Sequence, residues 1–151
     1  MVRAFIAGPL FSEAERRMLE TIAAEVAALG FDVFLPHRDA GLVDWAADTP
    51  PTVDALVAVY RADREALLAS GVVVAWVDGA DVDSGTCIEM GIAHARGIPV
   101  FALRTDPRPF INAMIVGVCG EGRTLFRSLD ALTRALGRFR DAGVSAEGRP
   151  S

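Results

Sequence analysis

From its first residues the chain alternates short apolar runs with longer stretches in which apolar residues return every three or four positions. "VRAFIAG" is of the first kind and predicts strand one. "SEAERRMLETIAAEVAALG" is of the second kind. Ser12 with Glu15 three residues on forms a capping box at its start, and Gly30 closes it. "FDVFLP" predicts strand two, stopped by Pro36, and "TVDALVAVYRADREALLAS" returns to helical period. "VVVAWV" is apolar throughout, as expected for the middle of a parallel sheet covered on both faces. "GTCIEMGIAHARG" predicts a helix ending at Gly97, and "IPVFALR" strand four. "TDPRPFINAMIVGVCGEG" reads as a loop with a short helix, "RTLFRS" as a weak strand five and "LDALTRALGRFRDAG" as a last amphipathic helix. Residues 37–52, with their Asp, Gly and Pro, read as an irregular loop of the length usually found in functional lids.

Strands alternating with helices, joined by right-handed crossovers, predict an α/β fold. The expected form is a flavodoxin-like single domain over residues 1–143, with a five-stranded parallel sheet in the order 2-1-3-4-5 and helices on both faces. Residues 144–151 read as a disordered tail. Ligands of such sheets lie at the carboxyl ends of the strands, at the switch point between strands one and three. The loops "AGPLFS" and "DGADVDSGT" are therefore expected to face each other across one crevice.

Composition narrows the partners. The 151 residues carry a net charge of −5, which disfavours a nucleic acid polymer. Arg61, Arg64, Arg104 and Arg108 are interleaved with acids and read as a solvated, mixed-charge surface. Cys87 and Cys119 lack any metal spacing and are expected reduced and buried; His37 and His94 are the only histidines, so no metal site is expected. No apolar run reaches the roughly 20 residues that span a bilayer. "MVRAFIAGPLF" runs straight into a polar helix and reads as a strand, not a signal peptide, so no membrane partner and a cytoplasmic location are expected.

Familiar chemistries of this architecture are missing. There is no GxGxxG, no GxxxxGK[ST], and Ala7 and Gly8 stand where a receiver domain carries its acidic pair. Carboxylates remain: Asp78, Asp81, Asp83 and Glu89 beside strand three, and Asp63 on the helix before it. Taken alone, "TCIE" is a capping box from Thr86 to Glu89, and Asp63 a solvated charge. The same positions also suit chemistry. A carboxylate in a helix's first turn feels the positive end of the macrodipole and stays ionised. Aimed into a crevice, it is a nucleophile for an anomeric carbon, needing a second carboxyl as the acid for the departing group. Gly85 lets the backbone pass close to a sugar.

"FIAGPLFSEAER", "FLPHRD", Asp63, "DGADVDSGTCIEMGIAHARGIPVFALRTD" and "INAMI" together resemble the nucleoside 2-deoxyribosyltransferase family over residues 3 to 117. The resemblance implies that Glu89 attacks the anomeric carbon and holds a covalent deoxyribosyl ester until a second base replaces the first, with net retention. It implies that Asp63 hydrogen-bonds and protonates the base, that Asp83 binds a sugar hydroxyl, and that Asn112 reaches the sugar of a neighbouring subunit. The expected partners are therefore nucleosides, free purine and pyrimidine bases and further copies of this chain. No cofactor is expected. Phe5, Gly8, Pro9, Gly85 and Thr86 are expected around the substrate, with His37 and Arg38, beside Asp39 and Trp45, as base-pocket walls.

Phe5 departs from the family, which often has a tyrosine there to orient the glutamate; a phenyl ring cannot hydrogen-bond. Related nucleoside monophosphate N-glycoside hydrolases can carry Phe and accept ribosides, yet they tend to have serine where Asp83 stands, and a carboxylate repels a 5′-phosphate. Three functions therefore stay open: base exchange on deoxyribonucleosides, N-glycoside hydrolysis with the same glutamate, and nucleoside binding without catalysis.

Overall fold

The computed structural model describes residues 1–109 and 111–147. Its strands are β1 (Arg3–Ala7), β2 (Asp32–Phe34), β3 (Val72–Trp76), β4 (Val100–Leu103) and β5 (Leu125–Phe126). They pair in parallel in the predicted order, β2-β1-β3-β4-β5. The helices are α1 (Glu13–Ala28), α2 (Pro36–Asp39), α3 (Val53–Leu68), α4 (Ser84–Ala95), α5 (Ala113–Val118) and α6 (Leu129–Glu147).

Side-chain alternation along the strands divides the core in two. Ala4 and Ile6 of β1 with Val72 and Val74 of β3 face Leu19, Ile22 and Val26 of α1 and Leu132 and Leu136 of α6. Phe5 and Ala7 with Val73 and Ala75 face Leu67 of α3, Met90 and Ala93 of α4 and Ile115 of α5. Each central strand is thus buried on both faces, which is why "VVVAWV" carries no polar residue. The register Ala7↔Ala75 and Trp76↔Leu103 brings the carboxyl ends of β1, β3 and β4 level.

Three boundaries differ from those the pattern predicts. Pro36 does end β2, but it also starts α2, where a missing N–H costs nothing and the ring's φ suits a helix. Asp39 Oδ2 then accepts from Leu35 N at 2.7 Å. Second, α4 starts before Thr86, as described below. Third, α6 runs to Glu147, past Gly143; the remainder of the expected tail, 148–151, lies outside the described residues. Among the described residues no helix is long and apolar enough to cross a membrane.

Candidate active site

At the end of β1 the chain passes close to its neighbours. A Cβ on Gly8 would lie 2.4 Å from Leu19 Cδ2 and 3.5 Å from Trp76 Cβ, so only glycine lets this loop cross between α1 and β3. Gly8 and Pro9 are both half-buried there. The "AGPLFS" and "DGADVDSGT" loops start side by side, as the switch-point rule expects.

The second loop is shaped by its own carboxylates. Asp78 accepts from Thr105 N at 2.6 Å, from Asp106 N at 3.1 Å and from the Thr105 hydroxyl. Asp106 Oδ2 accepts in return from Gly79 N at 3.0 Å. These bonds clamp the loops after β3 and β4 together, so Asp78 has a structural task. Arg104 corrects the solvated-surface expectation: it is only 2% exposed and donates Nη1 to Val77 O at 2.7 Å. Its place at the end of an apolar run was the one available signal. Arg61, Arg64 and Arg108 are exposed, as expected.

The expected Thr86–Glu89 capping box is not formed. Asp83 is the N-cap of α4, its Oδ2 accepting from Thr86 N at 2.9 Å and from Thr86 Oγ1 at 2.8 Å. An acceptor three residues upstream starts the helix earlier, and Thr86 is buried with its hydroxyl committed to Asp83. Gly85 is exposed in the first turn, with its virtual Cβ 3.3 Å from Asp83 Oδ2. Asp83→Ala should cost about 1 kcal/mol of stability by removing the cap, whereas Asp83→Asn keeps it. Thermal melts of the two variants separate capping from any loss of substrate binding.

Glu89 is consequently the sixth residue of α4, beyond the first turn where a helix dipole acts. The expectation of an ionised carboxylate is also overturned. Burial, then the nearby Asp63, then Asp83 push its pKa up to about 8. Desolvation and two like charges outweigh any residual dipole. Asp63 is not the solvated charge of a lone helix acid either. It is half-buried, burial lifts its pKa to about 6, and its Oδ1 is sealed from solvent without a hydrogen-bond partner. With these pKa values, Glu89 is protonated and Asp63 ionised at neutral pH.

The remaining expected residues fall into separate groups. Phe5 is fully buried below the site, its ring stacked on Phe34 at 5.7 Å. Asp63 lines a small cavity with Leu10, Pro36, Val59, Trp45 and residues 40–43. His37 and Arg38 are not part of that lining. His37 Nε2 meets Glu20 Oε1 of α1 at 3.2 Å, and Arg38 grips Asp39 through two bonds. Leu10, Val59 and residues 40–43 were missed because nothing in an apolar residue marks it as a pocket wall.

Asn112 is exposed, and its Oδ1 caps α5 by accepting from Met114 N at 2.8 Å. It lines a groove of about 640 Å³ with Cys87 and Gly91 of α4. At 100° per residue, Glu89 points about 200° away from Cys87 around the helix. Asn112 and Glu89 of one chain thus lie on different sides of α4. Cys119 is buried in the core and Cys87 half-buried, both as free thiols. Among the described residues, no group of three or more His, Cys, Asp or Glu is placed to hold a metal ion.

Comparison with solved structures finds the same architecture elsewhere. A conserved protein from Enterococcus faecalis superposes with a TM-score of 0.78 at 28% identity, covering 91% of this chain and 98% of that one. A 2-deoxyribosyltransferase from Bacillus psychrosaccharolyticus gives 0.72 at 19%, covering 87% and 90%. A CMP N-glycosidase from Clostridium botulinum gives 0.58 at 16%, covering 89% and 97%. No curated protein matches the sequence. The family model for nucleoside 2-deoxyribosyltransferase matches residues 4–145, from the first strand to near the end of α6. With that match spanning the sheet and both carboxylate-bearing helices, the chain belongs to the nucleoside 2-deoxyribosyltransferase family, enzymes of pentosyl transfer at N-glycosidic bonds.

Proposed function

We propose that this protein exchanges the base of 2′-deoxyribonucleosides through a covalent deoxyribosyl ester on Glu89, with net retention. The observation that carries this reading is two carboxyls brought near each other by α3 and α4, Glu89 with its pKa raised by burial and by the nearby Asp63 and Asp83, and Asp63 with its pKa raised by burial. Glu89 passes its proton to Asp63, and Asp63 gives it to the departing base. Glu89 is then an anion as the C1′–N bond breaks, and its oxygen bonds to C1′. The base leaves neutral, and Asp63 returns to its ionised form, ready to take the proton of an incoming base. Like charges close together cannot both ionise cheaply, so the pair stores the proton that the leaving group needs. Asp83 keeps Oδ1 outside its cap bonds, available for a sugar hydroxyl.

The proposed assembly is a homo-oligomer in which Asn112 of one subunit serves its neighbour. Two observations support it. Asn112 does not share a side of α4 with its own Glu89. The same helical layer also exposes Val53, Leu56, Val57 and Tyr60 on α3, Ile88 on α4 and Met114 on α5, an apolar surface of the kind subunits bury.

Deoxyinosine incubated with and without adenine tests the exchange. Deoxyadenosine should form only with adenine present, with little hypoxanthine released in its absence. Hypoxanthine release that ignores adenine would instead establish the hydrolase, for which the buried, non-hydrogen-bonding Phe5 is the one favourable feature.

A further inference from the structure

We infer that Asp106 is a positioning residue for sugar binding, acting through the loop after β3 to set Asp83 against the substrate. This rests on the proposal that Asp83 binds a sugar hydroxyl. Main-chain pairing of β3 with β4 ends where Val77 N donates to Leu103 O at 2.9 Å. Chains leaving twisted parallel strands diverge unless something holds them together. Here side chains continue the pairing. Arg104 Nη1 donates to Val77 O at 2.7 Å and to Gly79 O at 3.5 Å. Asp78 accepts from Thr105 N and Asp106 N, and Asp106 Oδ2 accepts from Gly79 N at 3.0 Å.

Asp106 is the hub of this brace, with a side chain only 10% exposed. Its Oδ1 accepts from Arg108 N at 2.9 Å, and the Arg108 guanidinium closes on Oδ2. Arg127, just past β5, donates Nη2 to the Asp106 carbonyl at 2.8 Å. The hub is thus held from its own loop and from the next strand, and Gly79 rests on it. Gly79, Thr105 and Asp106 belong to neither face of the core, so losing the brace loosens the loop and leaves the sheet.

The brace reaches Asp83 through Gly79. That residue turns the chain at a φ of +110°, and a Cβ on it would lie 3.0 Å from Asp81 O. The turn therefore backs onto Asp81, two residues before Asp83. Cys87 Sγ donates to Val82 O at 3.7 Å, tying the next peptide to α4. Asp83 then caps the helix through Oδ2. The cap holds one oxygen to α4, and the path of the chain from Gly79 sets which way the other oxygen turns.

Calorimetric binding of deoxyinosine tests this in a Glu89→Gln background, with Asp106→Ala, Asp83→Asn, both, or neither. Asp106→Ala should weaken binding about fivefold or more where Asp83 is present, but less than about twofold beside Asp83→Asn, since residues acting through one another are not additive. Asp106→Asn keeps an acceptor for Gly79 N and should bind within about twofold of its parent. Amide exchange at Gly79 should quicken in Asp106→Ala alone of the two. An Asp106→Ala loss of equal size in both backgrounds, or no loss in either, would overturn the inference while leaving the role of Asp83 intact. Asp83→Asn binding as tightly as its parent would instead remove Asp83 from the sugar, and the positioning role with it. Only binding is read, so base exchange and hydrolysis give the same result.

Discussion

Glu89→Gln is expected to abolish base exchange and to make the fold more stable. Loss of a nucleophile removes the covalent route, and turnover should fall by at least about 10⁴-fold. Stability follows from proton linkage. The carboxyl's pKa rises from its ordinary 4.5 to about 8 on folding, so the native chain binds a proton the unfolded chain has released. The wild type is then fully stable with respect to this group below pH 4.5 and loses stability as pH climbs through about 8. Glutamine does not ionise and escapes that loss. At one pKa unit per ~1.4 kcal/mol, the variant should gain roughly 3 kcal/mol at pH 7, more at pH 9 and almost nothing at pH 4. Thermal melts at the three pH values, beside the product assay, check both halves. A variant that melts below the wild type at pH 9 would contradict the buried, crowded carboxyl.

Asp63→Asn should change the shape of the pH profile as well as its height. For the wild type, kcat/KM is expected to rise through about pH 6 and fall through about pH 8, because the active form carries one proton across the pair. Asparagine accepts no proton, so departure of the base loses its acid, worth about 10²–10⁴-fold in rate. Glu89 also loses one of the two charges that raise its pKa. Its titration should move down, leaving a single rising limb in place of the bell. A bell that survives in Asp63→Asn would remove Asp63 from proton transfer.

Much of this molecule was legible along the chain. The order of strands and helices follows from where apolar residues recur every two or every three to four positions, since burial on a sheet or a helix face imposes those periods. The all-apolar "VVVAWV" placed β3 in the middle of the sheet, and the order β2-β1-β3-β4-β5 sets the loops after β1 and β3 side by side, as the switch-point rule expects. The string "DSGTCIEMGIA" combined with "AGPLF" and the other quoted stretches pointed to the family before any fold was in view, and the family model agrees.

Local pattern misled where two local solutions compete. Thr86 and Asp83 can each cap a helix, and the structure takes the earlier one, with Asp83 Oδ2 accepting from both Thr86 N and Thr86 Oγ1. Arg104 looks like its exposed neighbours in sequence, but β4 carries it into the core beneath the loop after β3. For Arg104 the deciding partner, Val77 O, lies 27 residues away, just past the end of the strand beside it.

The sequence by itself determined the sheet, its helices and which side chains were available for chemistry, because those depend on residue type and spacing. Tertiary structure alone decided the charge on Glu89, the sealing of Asp63 and the side of α4 on which Asn112 lies. A carboxyl's protonation depends on how much water and which charges surround it. Here α3 and α4 supply those surroundings only once packed together on one face of the sheet.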